Sequence, residues 1–112
     1  MLSKFWGNVK TQRPGGAVHG EGQPGETPRV VVYSTTWCPS CRVAKHYLAQ
    51  RGVPYVEIDI ERVEGAAEQV MRWARGYKTV PTIKIDDTIV VDWDQRAVER
   101  ALVEAGFISA GP

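Results

Sequence analysis

The chain has 112 residues, of which 43% are hydrophobic and 24% charged, a composition that suits one compact domain and is too short for two. Fourteen basic residues against thirteen acidic ones leave a net charge of +1 with no basic block, so there is no electrostatic footprint for nucleic acid. No apolar run approaches the roughly 18 residues of a membrane span, and the N-terminus lacks a secretory-type apolar segment; the expected compartment is the cytoplasm.

Residues 1–28 hold six of the eleven glycines and three of the seven prolines, concentrated in RPGGAVHGEGQPGETP. Such a segment buries too little apolar surface to offset its ordering entropy, and it reads as a flexible extension ahead of a domain over 29–112. Within it, Leu2, Phe5, Trp6 and Val9 have the spacing of one helical face. That face suits a docking or membrane-surface helix, or else a short turn resting on the protein's own body or plain disorder; Gly7 and the short length weigh against the helix.

From Arg29 the pattern tightens. RVVVYS is a β-branched run that reads as a buried strand. Residues 39–51 place Val43, Ala44, Tyr47 and Leu48 on one helical face and Arg42, Lys45, His46 and Gln50 elsewhere, with Arg51 and Gly52 closing the helix. PYVEIDI is a second strand, after which Asp59 suits a capping role. A second helix over 65–75 carries Ala67, Val70, Met71 and Ala74 and stops at Arg75 and Gly76. Trp73 and Tyr77, four apart, have the spacing of core residues or of a packed surface pair. TIKI and TIVV are strands parted by Asp86 and Asp87, a hairpin interval. Residues 95–105 form a last helix with Ala97, Val98, Ala101 and Leu102 inward, Asp94 as N-cap and Gly106 as its stop. The order is β-α-β-α-β-β-α: an α/β fold in which helices cover both faces of a four-stranded mixed sheet, the first two strands parallel and the last two antiparallel.

Both cysteines lie in TTWCPSC, at Cys38 and Cys41. They close almost no loop, so they cannot staple a small fold, and their use is chemical. A helix that begins at Pro39 accounts for the proline, because the first helical position needs no N–H and suits its fixed φ. Cys38 then occupies the N-cap, where the N–H groups of Ser40 and Cys41 and the positive end of the helix dipole favour its thiolate. That makes Cys38 the nucleophile. Cys41, about one turn on and more shielded, is placed to attack a mixed disulfide formed at Cys38. A zinc site would need four ligands, and outside this pair the chain offers only His19 and His46 beside its carboxylates. Two inert buried thiols would leave Pro39 unexplained. The first strand carries no acidic residue to accept the Cys41 proton. In KTVPT, Pro81 before a strand suits either a cis peptide that leaves Val80 backbone groups for an extended chain, or a routine strand entry. Trp37, beside the nucleophile, is a packing residue or a substrate contact.

Taken together, YSTTWCPSC, YVEIDIE and KTVPT resemble the glutaredoxin branch of the thioredoxin fold, with the nearest likeness to mycoredoxin-type glutaredoxin-like proteins, over about residues 29–106. The resemblance implies a dithiol oxidoreductase with Cys38 as exposed nucleophile and Cys41 as resolving thiol. It implies a cis Pro81 facing the pair, with Thr79 and Val80 offering backbone contacts to substrate. Lys78 and Asp94 could meet the two ends of a glutathione-like thiol. Glutathione-using members often have lysine where Thr35 stands, tyrosine where Ser40 stands, and a Gly-Gly turn where this chain reads VVDWDQ. The implied partners are disulfide-containing proteins or thiol mixed disulfides, and a low-molecular-weight thiol (glutathione, mycothiol or similar) or a flavoprotein reductase as electron source. No bound cofactor or metal is implied for the dithiol route, and the protein is expected to be a monomer. The alternatives are an electron donor fed by thioredoxin reductase and a carrier of an iron–sulfur cluster or metal.

Overall fold

The computed structural model describes residues 18–19 and 28–110. The helical spacing noted over residues 1–10 and most of the Gly/Pro-rich extension lie outside them. The elements run β1 (Val18–His19), β2 (Val30–Ser34), α1 (Pro39–Gln50), β3 (Tyr55–Asp59), α2 (Ala66–Trp73), β4 (Thr82–Ile85), β5 (Thr88–Val91) and α3 (Gln95–Glu104).

The expected mixed sheet is present, in the order β1-β3-β2-β4-β5. β2 is central and pairs parallel with β3, Val32 opposite Glu57, and antiparallel with β4, Val32 opposite Ile83. β5 returns antiparallel to β4. Beyond the four expected strands, β1 pairs antiparallel with β3 and occupies the backbone groups of its outer edge.

All five residues of β2 are buried, because helices cover the sheet on both sides. Val30 and Val32 point into a core shared with Ala44, Tyr47 and Leu48 of α1 and Val98, Ala101 and Leu102 of α3. Val31 and Tyr33 point the other way, toward Val56, Ile58, Ala66 and Val70 under α2. Period-two alternation along β2 thus feeds both layers of the domain.

Helix ends follow their local chemistry. At α1, the N–H of Gly52 bonds the Ala49 carbonyl and that of Val53 the Leu48 carbonyl, with Gly52 at φ 69°. Glycine adopts that left-handed turn without strain, and Leu48 and Val53 meet in the core beyond it. α2 is shorter than expected: Arg75 itself takes the left-handed conformation, at φ 58°, and the chain turns away after Trp73. Tyr77 is therefore exposed and does not pair with Trp73, which packs edge-on to Tyr33 at 5.4 Å. Met71 and Ala67 are only partly buried, and Ala66 holds the inner position. On α1, Cys41 takes the inward place expected for Val43, which is exposed. Asp94 caps α3, accepting the Ala97 N–H at 3.1 Å. Arg29 ties the β4–β5 turn to α3, with a two-bond pair to Asp86 (2.9 and 2.8 Å) and a bond to the Ala105 carbonyl (2.8 Å). Among the described residues, no helix is long and apolar enough to cross a membrane.

Candidate active site

The central strand β2 ends at Ser34, and a four-residue turn leads into α1. Cys38 is the N-cap, with extended backbone at φ −94° and ψ 110°, and Pro39 starts the helix. The Cys41 N–H donates to the Cys38 sulfur at 3.1 Å, which satisfies one of the helix's unpaired N-terminal donors. Both thiols are free.

Opposite the pair, the Val80–Pro81 peptide is cis, and the Val80 carbonyl lies 3.8 Å from the Cys38 sulfur, within reach of a weak S–H hydrogen bond. Thr79 sits beside it, its carbonyl already accepting the Thr82 hydroxyl at 2.8 Å. The fold thus brings Cys38, Cys41, Val80 and Pro81 together from elements distant in sequence. The expectation of an exposed Cys38 is corrected by the geometry: the residue is 4% exposed, against 0% for Cys41. The Val80 carbonyl lies against the sulfur, so Cys38 is the outer of two covered thiols.

Trp37 stands at the rim, 64% exposed, with its indole N–H 3.3 Å from Glu61. Pro39 and Ser40 form the exposed first turn between the cysteines, and Lys78 is exposed in the loop before β4. Asp94 lines an open groove with Thr88, Val91 and Arg100 between β5 and α3, a groove that holds neither cysteine. Asp59 turns the chain after β3, accepting the Glu61 N–H at 2.9 Å.

The Cys41 thiol is pushed up to about 12, chiefly by burial and next by the Cys38 sulfur. The backbone N–H of Thr35 and the charge of Lys45 act in the opposite direction. Thr35 is buried, and its hydroxyl has no hydrogen-bond partner among the described residues.

One group escaped the sequence reading. Lys45, expected on the outer face of α1, is half-buried, and its ammonium lies 2.7 Å from Glu57 on β3. The Ser34 hydroxyl donates to the same carboxylate oxygen at 2.8 Å. The available signal was in β3, where Glu57 falls on the same strand face as the inward-pointing Tyr55. Among the described residues, no cluster of three or more His, Cys, Asp or Glu is placed to hold a metal ion.

Comparison with known proteins agrees with this geometry. The family model described as Glutaredoxin matches residues 30–90. A glutaredoxin of Pseudomonas aeruginosa is 41% identical over 75 residues, covering 66% of this chain and 88% of that one. Mycoredoxin 1 of Corynebacterium glutamicum is 38% identical over 58 residues, covering 52% and 71%. Among solved structures, the glutaredoxin-like NrdH-redoxin from Escherichia coli, described as having a thioredoxin-like activity profile, superposes with a TM-score of 0.57 at 25% identity, covering 64% of this chain and 92% of that one.

Proposed function

The chain belongs to the glutaredoxin family, and from that premise we propose that it is a thiol–disulfide oxidoreductase that uses both cysteines. The observation that carries this reading is Cys38 at the N-cap of α1 with the Cys41 N–H bonded to its sulfur. That position favours negative charge on Cys38 sulfur as it attacks.

Cys38 thiolate attacks one sulfur of a substrate disulfide. A Cys38 mixed disulfide forms, and the first substrate thiol leaves. Cys41 then attacks the Cys38 sulfur, the Cys38–Cys41 bond forms, and the second substrate thiol departs. In this reading Val80 and Pro81 receive an extended substrate segment, Thr79 adds a backbone contact, and Trp37 provides an apolar flank. Lys78 and Asp94 meet the charged ends of a small thiol. Pro39 and Ser40 shape the turn that sets the two cysteines one helical turn apart, within reach of each other. The protein works as a monomer in the reducing cytoplasm on protein disulfides or thiol mixed disulfides.

A low-molecular-weight thiol returns the electrons in the leading version, which the likeness to mycoredoxin 1 supports. A flavoprotein reductase of the thioredoxin reductase class is the second version. It is favoured by Thr35 and Ser40 at positions where glutathione-using relatives often carry lysine and tyrosine, and by the likeness to NrdH-redoxin. An NADPH-coupled assay that supplies glutathione, mycothiol or thioredoxin reductase in turn distinguishes the two. Turnover with one donor only identifies it, whereas undiminished turnover by Cys38→Ser with any donor would refute the proposed chemistry.

A further inference from the structure

The sheet face beneath α1 is largely apolar but carries a polar cluster where β2 ends. Ser34 ends β2 on the side of Val30 and Val32, and Glu57 lies on β3 between Tyr55 and Asp59, on that same side. Lys45 reaches down from α1 to complete the group, with N–O distances of 2.7 Å to Glu57 and an O–O distance of 2.8 Å from Ser34 to the same oxygen. Only 26% of the lysine side chain and 20% of the glutamate side chain remain exposed. Pairs desolvated to this degree contribute little net stability and are often replaceable by apolar residues, so fold stability alone gives weak reason for charges here.

The position of Lys45 supplies a reason. It lies four residues after Cys41 on α1, where side chains are neighbours one turn apart. Helical side chains lean toward the N-terminus, so the Lys45 stem runs over the turn that carries Cys41. Cys41 is the thiol that must ionise while fully covered. The groups that act on it are Cys38 and Lys45 from its own helix and the Thr35 backbone N–H after β2, with the Glu57 carboxylate of β3 joined to them through Lys45 and Ser34. Asp59, paired across the sheet with Ser34, is engaged with the Glu61 N–H and with Arg62, and the cation that acts on Cys41 is Lys45.

We propose that Lys45, held in place by Glu57 and Ser34, is a positioning residue for the resolving step: its charge stabilises the Cys41 thiolate as that sulfur attacks the Cys38 mixed disulfide. This rests on the dithiol reading. In the step, the Cys41–Cys38 S–S bond forms as the bond from Cys38 to the substrate sulfur breaks. Net, the proton of Cys41 ends on the departing thiol, no electrons enter or leave, and Lys45 keeps its own proton throughout.

The test is single-turnover reaction of the reduced full chain with an aromatic disulfide whose released thiolate is coloured. The first equivalent of colour reports attack by Cys38, and the second reports resolution by Cys41. Loss of one unit of acidity lowers the thiolate fraction tenfold, but the more basic thiolate regains about half of that logarithmically. Taking the Lys45 charge, the smallest of the influences on Cys41 and partly offset by Glu57, as worth about one unit of acidity, Lys45→Met should slow the second phase about threefold and displace its pH profile upward. The first phase stays within about twofold, and Lys45→Arg restores the second. The double variant Lys45→Met, Glu57→Gln leaves no orphan charge, so it guards against misfolding, and it should keep the slow second phase. Recovery of the wild-type rate in that double variant, or equal slowing of both phases in Lys45→Met, would overturn the proposal. Absence of any second phase in the wild-type chain would instead refute the dithiol reading itself.

Discussion

Cys41 should resist thiol reagents through acidity as well as through cover. Its thiol is raised to about 12. At about pH 8 an ordinary thiol of pKa about 8.5 is roughly one quarter thiolate, whereas Cys41 would be about one part in ten thousand, a gap of more than three orders. Greater nucleophilicity of the more basic sulfur restores about one and a half of them, leaving Cys41 about two orders slower than an exposed thiol before steric cover is counted. Timed alkylation of the reduced protein with iodoacetamide, read by peptide mass spectrometry across a pH series, measures both sites. One adduct should form at Cys38, while Cys41 modification in the folded chain keeps climbing with pH and shows no plateau below about pH 10. A plateau near pH 9 at Cys41, or equal rates at the two sites, would refute the placement of Cys41 as the desolvated partner.

The same burial makes the reduced protein pH-sensitive. Because the folded thiol is raised above its unfolded value, its stabilising contribution is complete below about pH 8.5 and is lost as pH rises toward about 12, by up to about 1.4 kcal/mol per unit. Urea unfolding of the reduced chain at a series of alkaline pH values should show that slope. Cys41→Ser should flatten it below about pH 10, leaving the loss from buried Tyr33, whose phenol burial also raises, to begin above that. Asp94→Ala removes the side-chain acceptor for the Ala97 N–H and should cost about 1 kcal/mol in the same unfolding measurement. If Asp94 also meets a small thiol, the variant raises KM for a thiol mixed disulfide while Cys38 alkylation is unchanged; an unaltered KM would restrict it to capping.

The fold was legible wherever local chemistry and periodicity agreed. Pro39 after Cys38, Asp94 before Gln95 and the Asp86–Asp87 interval each marked an element boundary that the structure bears out. Where a boundary depended on backbone competition between neighbours, the reading slipped. Arg75 takes the left-handed turn that Gly76 could have supplied alone, which releases Tyr77 from the helix. β1 was hidden because two residues in a glycine-rich stretch carry no periodicity, and only the open edge of β3 gives them a partner. At the site, Pro39 as the first helical residue marked Cys38 as the N-cap. The Lys45–Glu57 pair was missed because a lysine on an amphipathic helix reads as solvent-facing, and the partner that draws it inward belongs to a different strand. The cover over Cys38 likewise comes from Val80, forty-two residues away in the chain.

The most direct measurement of the division of labour between the two thiols is capture of substrate by single-cysteine variants. Mixed with a protein disulfide substrate and then quenched with acid, Cys41→Ser should accumulate a covalent complex through Cys38, visible on a non-reducing gel and released by dithiothreitol. Cys38→Ser should form none and show no disulfide reductase turnover. A complex that forms through Cys41 in the Cys38→Ser variant at a comparable rate would contradict the assignment of Cys38 as the attacking thiol.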